Sequence, residues 1–158
     1  MSKKKIVLFD IDYTLFDTRL FKDSALQKYT IYEEVEEMLV QLKEIATLGI
    51  FSKGENEFQK TKLKKTGMLK FFEKNDIHIF VDKDANLMDV IRKYKDSKLF
   101  LVDDKLGILF SAKKNMPEIN TIWVKRGPYA LVQKPIEDFV PDAIIDDLSN
   151  LFNIVSSS

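Results

Sequence analysis

Lys5-Ile6-Val7-Leu8-Phe9-Asp10-Ile11-Asp12-Tyr13-Thr14-Leu15 decides how this chain is read. Ile6 to Phe9 is an unbroken apolar run, the pattern of a strand buried on both faces of a parallel sheet. Ligands of open parallel sheets bind beyond the carboxyl ends of the strands. This first strand therefore delivers Asp10 and Asp12 to the expected site. Two carboxylates so close repel unless a cation lies between them or one keeps its proton. The first solution makes a metal site; the second divides the pair into a nucleophile and a proton carrier. At this strand alone, Asp10 as a turn cap and a solvated Asp12 is the plain alternative.

Two later strands extend the pattern. Ala46 to Phe51 runs apolar into Ser52-Lys53-Gly54, and Leu99 to Val102 runs into Asp103-Asp104. Each polar end by itself reads as a helix cap, and Glu55 stands at capping-box distance from Ser52. Taken together, a carboxylate pair, a hydroxyl beside glycine and a second carboxylate pair along one sheet edge describe a divalent-cation and phosphate site.

On these residues the chain resembles the haloacid dehalogenase-like (HAD) hydrolases. Asp10-Ile11-Asp12-Tyr13-Thr14 matches the family's Asp-x-Asp-x-Thr motif, and Ser52 its Ser or Thr at the end of the next sheet strand. Lys83 in Val81-Asp82-Lys83-Asp84 matches its lysine, and Asp103-Asp104 its acidic cluster. The resemblance covers roughly residues 4 to 150. Tyr13 stands where the family usually has Gly, and Ile108 where a second acid often follows the cluster. Neither interval between motifs has room for the family's usual cap domain, since an ordinary domain needs at least about 50 residues.

Composition agrees. The 158 residues fit one domain spanning 1–158, with 45% hydrophobic residues and 12 Phe, which excludes a disordered chain. The absence of Cys excludes disulfides, thiolate catalysis and cysteine zinc sites. Lys+Arg and Asp+Glu are both 25, so charge indicates no nucleic-acid or anionic-membrane partner. No stretch reads as a bilayer span. The basic Met1-Ser2-Lys3-Lys4-Lys5 precedes an apolar run too short for a signal peptide, so a cytoplasmic location is expected.

Strand and helix patterns alternate through the rest of the chain. Helices are expected over Glu33–Ile45, Glu55–Lys65 (with Phe58 and Leu63 inward and Gly67 as the stop), Ala85–Tyr94, Gly107–Lys114 and Leu148–Val155. Further strands are expected at Ile77–Val81, Thr121–Val124 and Ala143–Ile145. The fold class is thus α/β, a single doubly wound, Rossmann-like domain with a parallel sheet of five to six strands and no large cap. His78, mid-strand between isoleucines, reads as structural. Lys60 to Lys65 reads as a solvated helix face. Arg126-Gly127-Pro128-Tyr129 lies on the site's side, as a plain turn or a substrate contact.

The resemblance implies a Mg2+-dependent phosphomonoester hydrolase. Asp10 would be the nucleophile, and Asp12 the acid and then the base. Lys83 is the third catalytic residue. Thr14, Ser52, Lys53 and Lys83 would bind the phosphorylated substrate, a small molecule or a macromolecule. Asp10, Asp12 through its carbonyl, and Asp103 or Asp104 would hold the metal. A phosphotransferase and a catalytically silent binding module are the alternatives. Without a cap the cleft should be open, suiting a bulky substrate or closure by another subunit of a homo-oligomer.

Overall fold

The computed structural model describes residues 2–158. Six strands, β1 (Lys5–Phe9), β2 (Thr47–Lys53), β3 (Ile77–Phe80), β4 (Lys98–Asp103), β5 (Asn120–Val124) and β6 (Ala143–Ile145), form one all-parallel sheet in the order β3-β2-β1-β4-β5-β6. Among the described residues, seven α-helices accompany it: α1 (Thr18–Asp23), α2 (Val35–Leu42), α3 (Asn56–Lys65), α4 (Lys83–Lys93), α5 (Leu106–Asn115), α6 (Pro128–Val132) and α7 (Leu151–Ser156).

Strand alternation sorts the apolar residues into two cores. Val7 and Phe9 of β1 face the layer of α2 and α7, with Val35, Leu39, Leu151 and Val155. Ile6 and Leu8 face α4 and α5, with Leu87, Ile91 and Leu109. Burial on both faces is why the strands lack polar alternation. After β3 the chain returns to the far side of β1, so strand order reverses between β1 and β4, where an α/β sheet opens its crevice.

Several boundaries differ from the sequence expectation. Ser52 and Lys53 still pair with β3, so β2 runs further than the apolar pattern does. Val81 is exposed beyond β3. The helix expected at Glu33–Ile45 is shorter at both ends, while α4 and α5 begin earlier, at Lys83 and Leu106. Glu55 is itself the N-cap of α3, accepting from the N–H groups of Glu57 and Phe58; Ser52 therefore belongs to no capping box. Gly67 does end α3, at φ +76°, with Gly67 N–H to Lys64 O and Met68 N–H to Leu63 O in a Schellman arrangement. The short α1 and α6, of six and five residues, carry no periodic stripe that marks them in the sequence. Phe58 is half-exposed rather than inward. Five residues turn a helix by about 140° beyond a full turn, so Phe58 cannot share the buried face of Leu63.

His78 is structural, as expected: its Nε2 lies 2.7 Å from Tyr94 Oη, which donates to Asp76. Among the described residues, no helix is long and apolar enough to cross a membrane.

Candidate active site

Asp10 follows β1 and its N–H donates to Val102 O of β4 at 3.0 Å, which pins it at the reversal point of the sheet. Asp103 ends β4 and Asp104 follows. One oxygen of each of these three buried acids lies within 4.8 Å of the others. Asp82 caps α4 and places Lys83 at its first turn. The Lys83 Nζ lies 2.5 Å from Asp103 Oδ2 and 3.3 Å from Asp10 Oδ1. Burial alone would favour neutral Lys83, but Asp10 and Asp103 outweigh it and keep the ammonium charged.

Asp103 is satisfied on its other oxygen by Lys105 N–H at 2.9 Å. Both oxygens of Asp104, by contrast, are buried without a hydrogen-bond donor among the described residues. Burial, then the charges of Asp10 and Asp103, push its carboxyl above the usual range. Burial also raises Asp10, against the pull of Lys83. Three buried acids around one ammonium leave negative charge unbalanced, and buried charges need a partner. An oxygen-only set with unused lone pairs fits a hard divalent cation such as Mg2+.

Asp12 is held differently. Lys62 Nζ donates to its Oδ1 at 2.8 Å, as does Thr18 Oγ1 at 2.9 Å, and Gln59 Nε2 donates to its Oδ2 at 3.0 Å. Gln59 also donates to Ser52 Oγ at 3.0 Å, tying the end of β2 to Asp12. Lys62 is thus not part of a solvated face. Its ammonium lies 4.7 Å from the Phe58 ring centroid and 5.3 and 5.5 Å from those of Phe16 and Phe21. Gln59, Lys62 and Leu63 share one helical face by their i, i+3, i+4 spacing. Polar residues on the stripe of a buried leucine were the signal that sequence reading passed over.

The loop after β1 is braced from behind. Tyr13 adopts φ +63°, which explains why a glycine suits this position and costs a tyrosine about 1–2 kcal/mol. Gly127, at φ +85°, leaves room for it: a Cβ there would lie 2.6 Å from the Tyr13 ring. Arg126 donates to the carbonyls of Tyr13 and Thr14, pairs with Glu34 at 2.8 Å, and stacks 3.6 Å from the Tyr32 ring centroid. Arg126 is therefore a brace, neither a plain turn residue nor a contact in the cleft.

The cleft has two lobes that meet at Asp10. The larger, about 570 Å³, includes Lys53, Lys83, Asp103 and Lys105 in its walls. The smaller, about 290 Å³, includes Asp12, Lys53, Lys62 and Asp104. Of the residues expected from sequence, Asp10, Asp12, Lys53, Lys83, Asp103 and Asp104 converge here. Thr14 and Ser52 are fully buried and line neither lobe. Thr14 lies in the turn that its N–H closes on Ile11 O, and its buried Oγ1 has no hydrogen-bond partner among the described residues.

No family model and no curated protein matches the sequence. Solved structures do match. A protein from Burkholderia xenovorans LB400 described as haloacid dehalogenase-like hydrolase shares 20% identity over 98% of both chains, with a TM-score of 0.81. The L-2-haloacid dehalogenase of Xanthobacter autotrophicus shares 15% identity over 99% of both, with a TM-score of 0.74. A predicted phosphoglycolate phosphatase from Haemophilus somnus 129PT shares 16% identity over 98% of this chain and 99% of that one, with a TM-score of 0.72. At such identities the likeness shows the fold: this chain has the HAD-like hydrolase fold, which serves both dehalogenases and phosphatases.

Proposed function

We propose that the protein is a Mg2+-dependent phosphomonoester hydrolase working through an aspartyl-phosphate on Asp10. The observation that carries this is Asp12, a second carboxylate on the same cleft as the nucleophile, held there by Lys62, Gln59 and Thr18. A halide leaves without a proton, so the displacement step of dehalogenation needs no acid. An ester oxygen needs one.

In the first step an Asp10 oxygen bonds to phosphorus as the bond to the ester oxygen breaks, and Asp12 protonates that oxygen. In the second, Asp12 takes a proton from water, whose oxygen attacks phosphorus and releases inorganic phosphate and Asp10. Lys83 and Lys53 offset the charge gathered around the phosphoryl oxygens. Asp10, the Asp12 carbonyl and Asp104 would hold Mg2+, with Asp103 committed to Lys83; the ion supplies positive charge between two anions that otherwise repel.

Asp10→Asn tests this reading. The amide is nearly isosteric but neither anionic nor nucleophilic, so p-nitrophenyl phosphate hydrolysis should fall below detection while the thermal midpoint is kept or raised. Activity within tenfold of wild type would remove Asp10 as nucleophile.

A further inference from the structure

We propose that the group leaving phosphorus is a flat aromatic one, an aryl phosphomonoester being the substrate class, and that it sits in the smaller lobe against Leu26, Phe58 and Tyr129. The phosphatase reading supplies only the direction. The attacking and leaving oxygens stand roughly in line across phosphorus, and a proton carrier must be within hydrogen-bond reach of the leaving oxygen. Asp12 lines the smaller lobe and not the larger one.

The walls of that lobe set the chemistry. Leu26 (50% exposed), Phe58 (42%) and Tyr129 (49%) come from three separate segments: the turn after α1, α3 and α6. Each leaves about half its surface in water where a polar residue would cost nothing, and they are the exposed apolar part, the slot, of a lining otherwise supplied largely by charged side chains, Asp12, Lys22, Lys53, Lys62 and Lys105 among them. Leu26 sits at φ +63° directly after Ala25 at φ +54°, where the chain closes α1: Ala25 N–H donates to Lys22 O at 3.1 Å and Leu26 N–H to Phe21 O at 2.8 Å, the pattern seen again at Gly67. This turn holds the half-exposed Leu26 side chain against the lobe.

Size and charge narrow the ligand. An apolar void of roughly 150 Å³ holds a benzene ring, so about 290 Å³ takes one ring with substituents or a bicyclic group. Lys22, Lys53 and Lys105 stand around the lobe with no carboxylate in ion-pair contact among the described residues. They disfavour a cationic ring and accept a neutral or anionic one.

The test pairs turnover with binding on the same preparations in Mg2+. Phenyl phosphate is compared with propyl phosphate by kcat/KM, and benzylphosphonate with butylphosphonate, which cannot be hydrolysed, by calorimetry. Wild type should favour the aromatic member of both pairs by about tenfold. Leu26→Gly and Phe58→Ala should each lower both ratios at least threefold. Leu26→Gly should at the same time raise the thermal midpoint, because glycine relieves the positive φ; a leucine with a purely structural part would lower the midpoint and leave the ratios alone. Free O-phosphotyrosine against a phosphotyrosyl peptide tells whether the ring arrives alone or on a chain, and either one counts as support. Ester hydrolysis without aromatic preference overturns the slot and leaves the phosphatase reading standing. Aromatic preference in binding that both variants lose, without hydrolysis of any ester, upholds the slot and removes the phosphatase reading. Equal binding of the two phosphonates, or ratios unchanged in both variants, overturns the proposal.

Discussion

Replacing Lys62 by Met separates the packing of α3 from the control of Asp12. At 2.8 Å and an effective dielectric constant near 20, the Lys62–Asp12 attraction is roughly 6 kcal/mol before any cost is counted. Lys62 is only 4% exposed, so placing its ammonium there costs several kcal/mol of desolvation, and the two nearly cancel. Methionine keeps the length of the chain and the contact with the Phe16, Phe21 and Phe58 rings through its sulfur. Asp12 keeps Thr18 and Gln59 as donors, and its side chain is 29% exposed, so it is not stranded. The net change in stability should stay within about 1 kcal/mol, a midpoint shift of some 2–4 °C for a chain of this size. Turnover responds otherwise. Positioned proton transfer contributes about 10²–10⁴-fold, and a carboxylate freed from one of three donors should lose on the order of tenfold to a hundredfold of it. Phosphate release from an alkyl ester, with kcat and KM resolved, and thermal unfolding on the same sample give both readings. A kcat within twofold of wild type in a folded variant would show that Lys62 only packs; a loss above about 3 kcal/mol would show that the pair is a stability element.

Three further outcomes are expected. Asp104→Asn removes a buried acid that faces Asp10 and Asp103, so in EDTA the midpoint should rise, while the Mg2+ concentration for half-maximal activity should rise at least tenfold; a fall in the first and no change in the second would make Asp104 structural. Gly127→Ala should cost about 2 kcal/mol or more from its φ of +85° and the contact with Tyr13, and adding Tyr13→Gly should recover at least about 1 kcal/mol, a coupling that denaturant titration of the four proteins in the cycle measures. His78 is pushed down to about 4 by burial and by Lys93. Its contribution is therefore complete above pH 6.5 and is lost as pH falls toward 4, where the unfolded chain binds the proton first. For a partly buried ring this is on the order of 1–2 kcal/mol, and His78→Gln should flatten the stability profile between pH 6.5 and 4 by that amount; an unchanged slope would assign the acid lability to other groups.

The sequence by itself determined the sheet and the chemical inventory. Unbroken apolar runs at Ile6–Phe9 and Leu99–Val102 mark strands buried on both faces, and such strands place Asp10, Asp103 and Asp104 at one edge wherever the helices fall. Lys83 was legible because it belongs to the same motif set. Tertiary structure decided what depends on the meeting of distant segments. Lys62 and Gln59 lie some fifty residues from Asp12, and only the seating of α3 on the β1 loop converts a lysine-rich helix into a clamp on that carboxylate. The match of Tyr13 with Gly127, and the brace that Arg126 forms with Glu34, join positions more than ninety residues apart through backbone angles that no periodicity encodes. Periodicity reports which face of an element avoids water; it is silent on what waits opposite that face. That is why Asp10 and Asp12 could be placed at the sheet edge from eleven residues, whereas the partners of Asp12 and the walls around it required the fold.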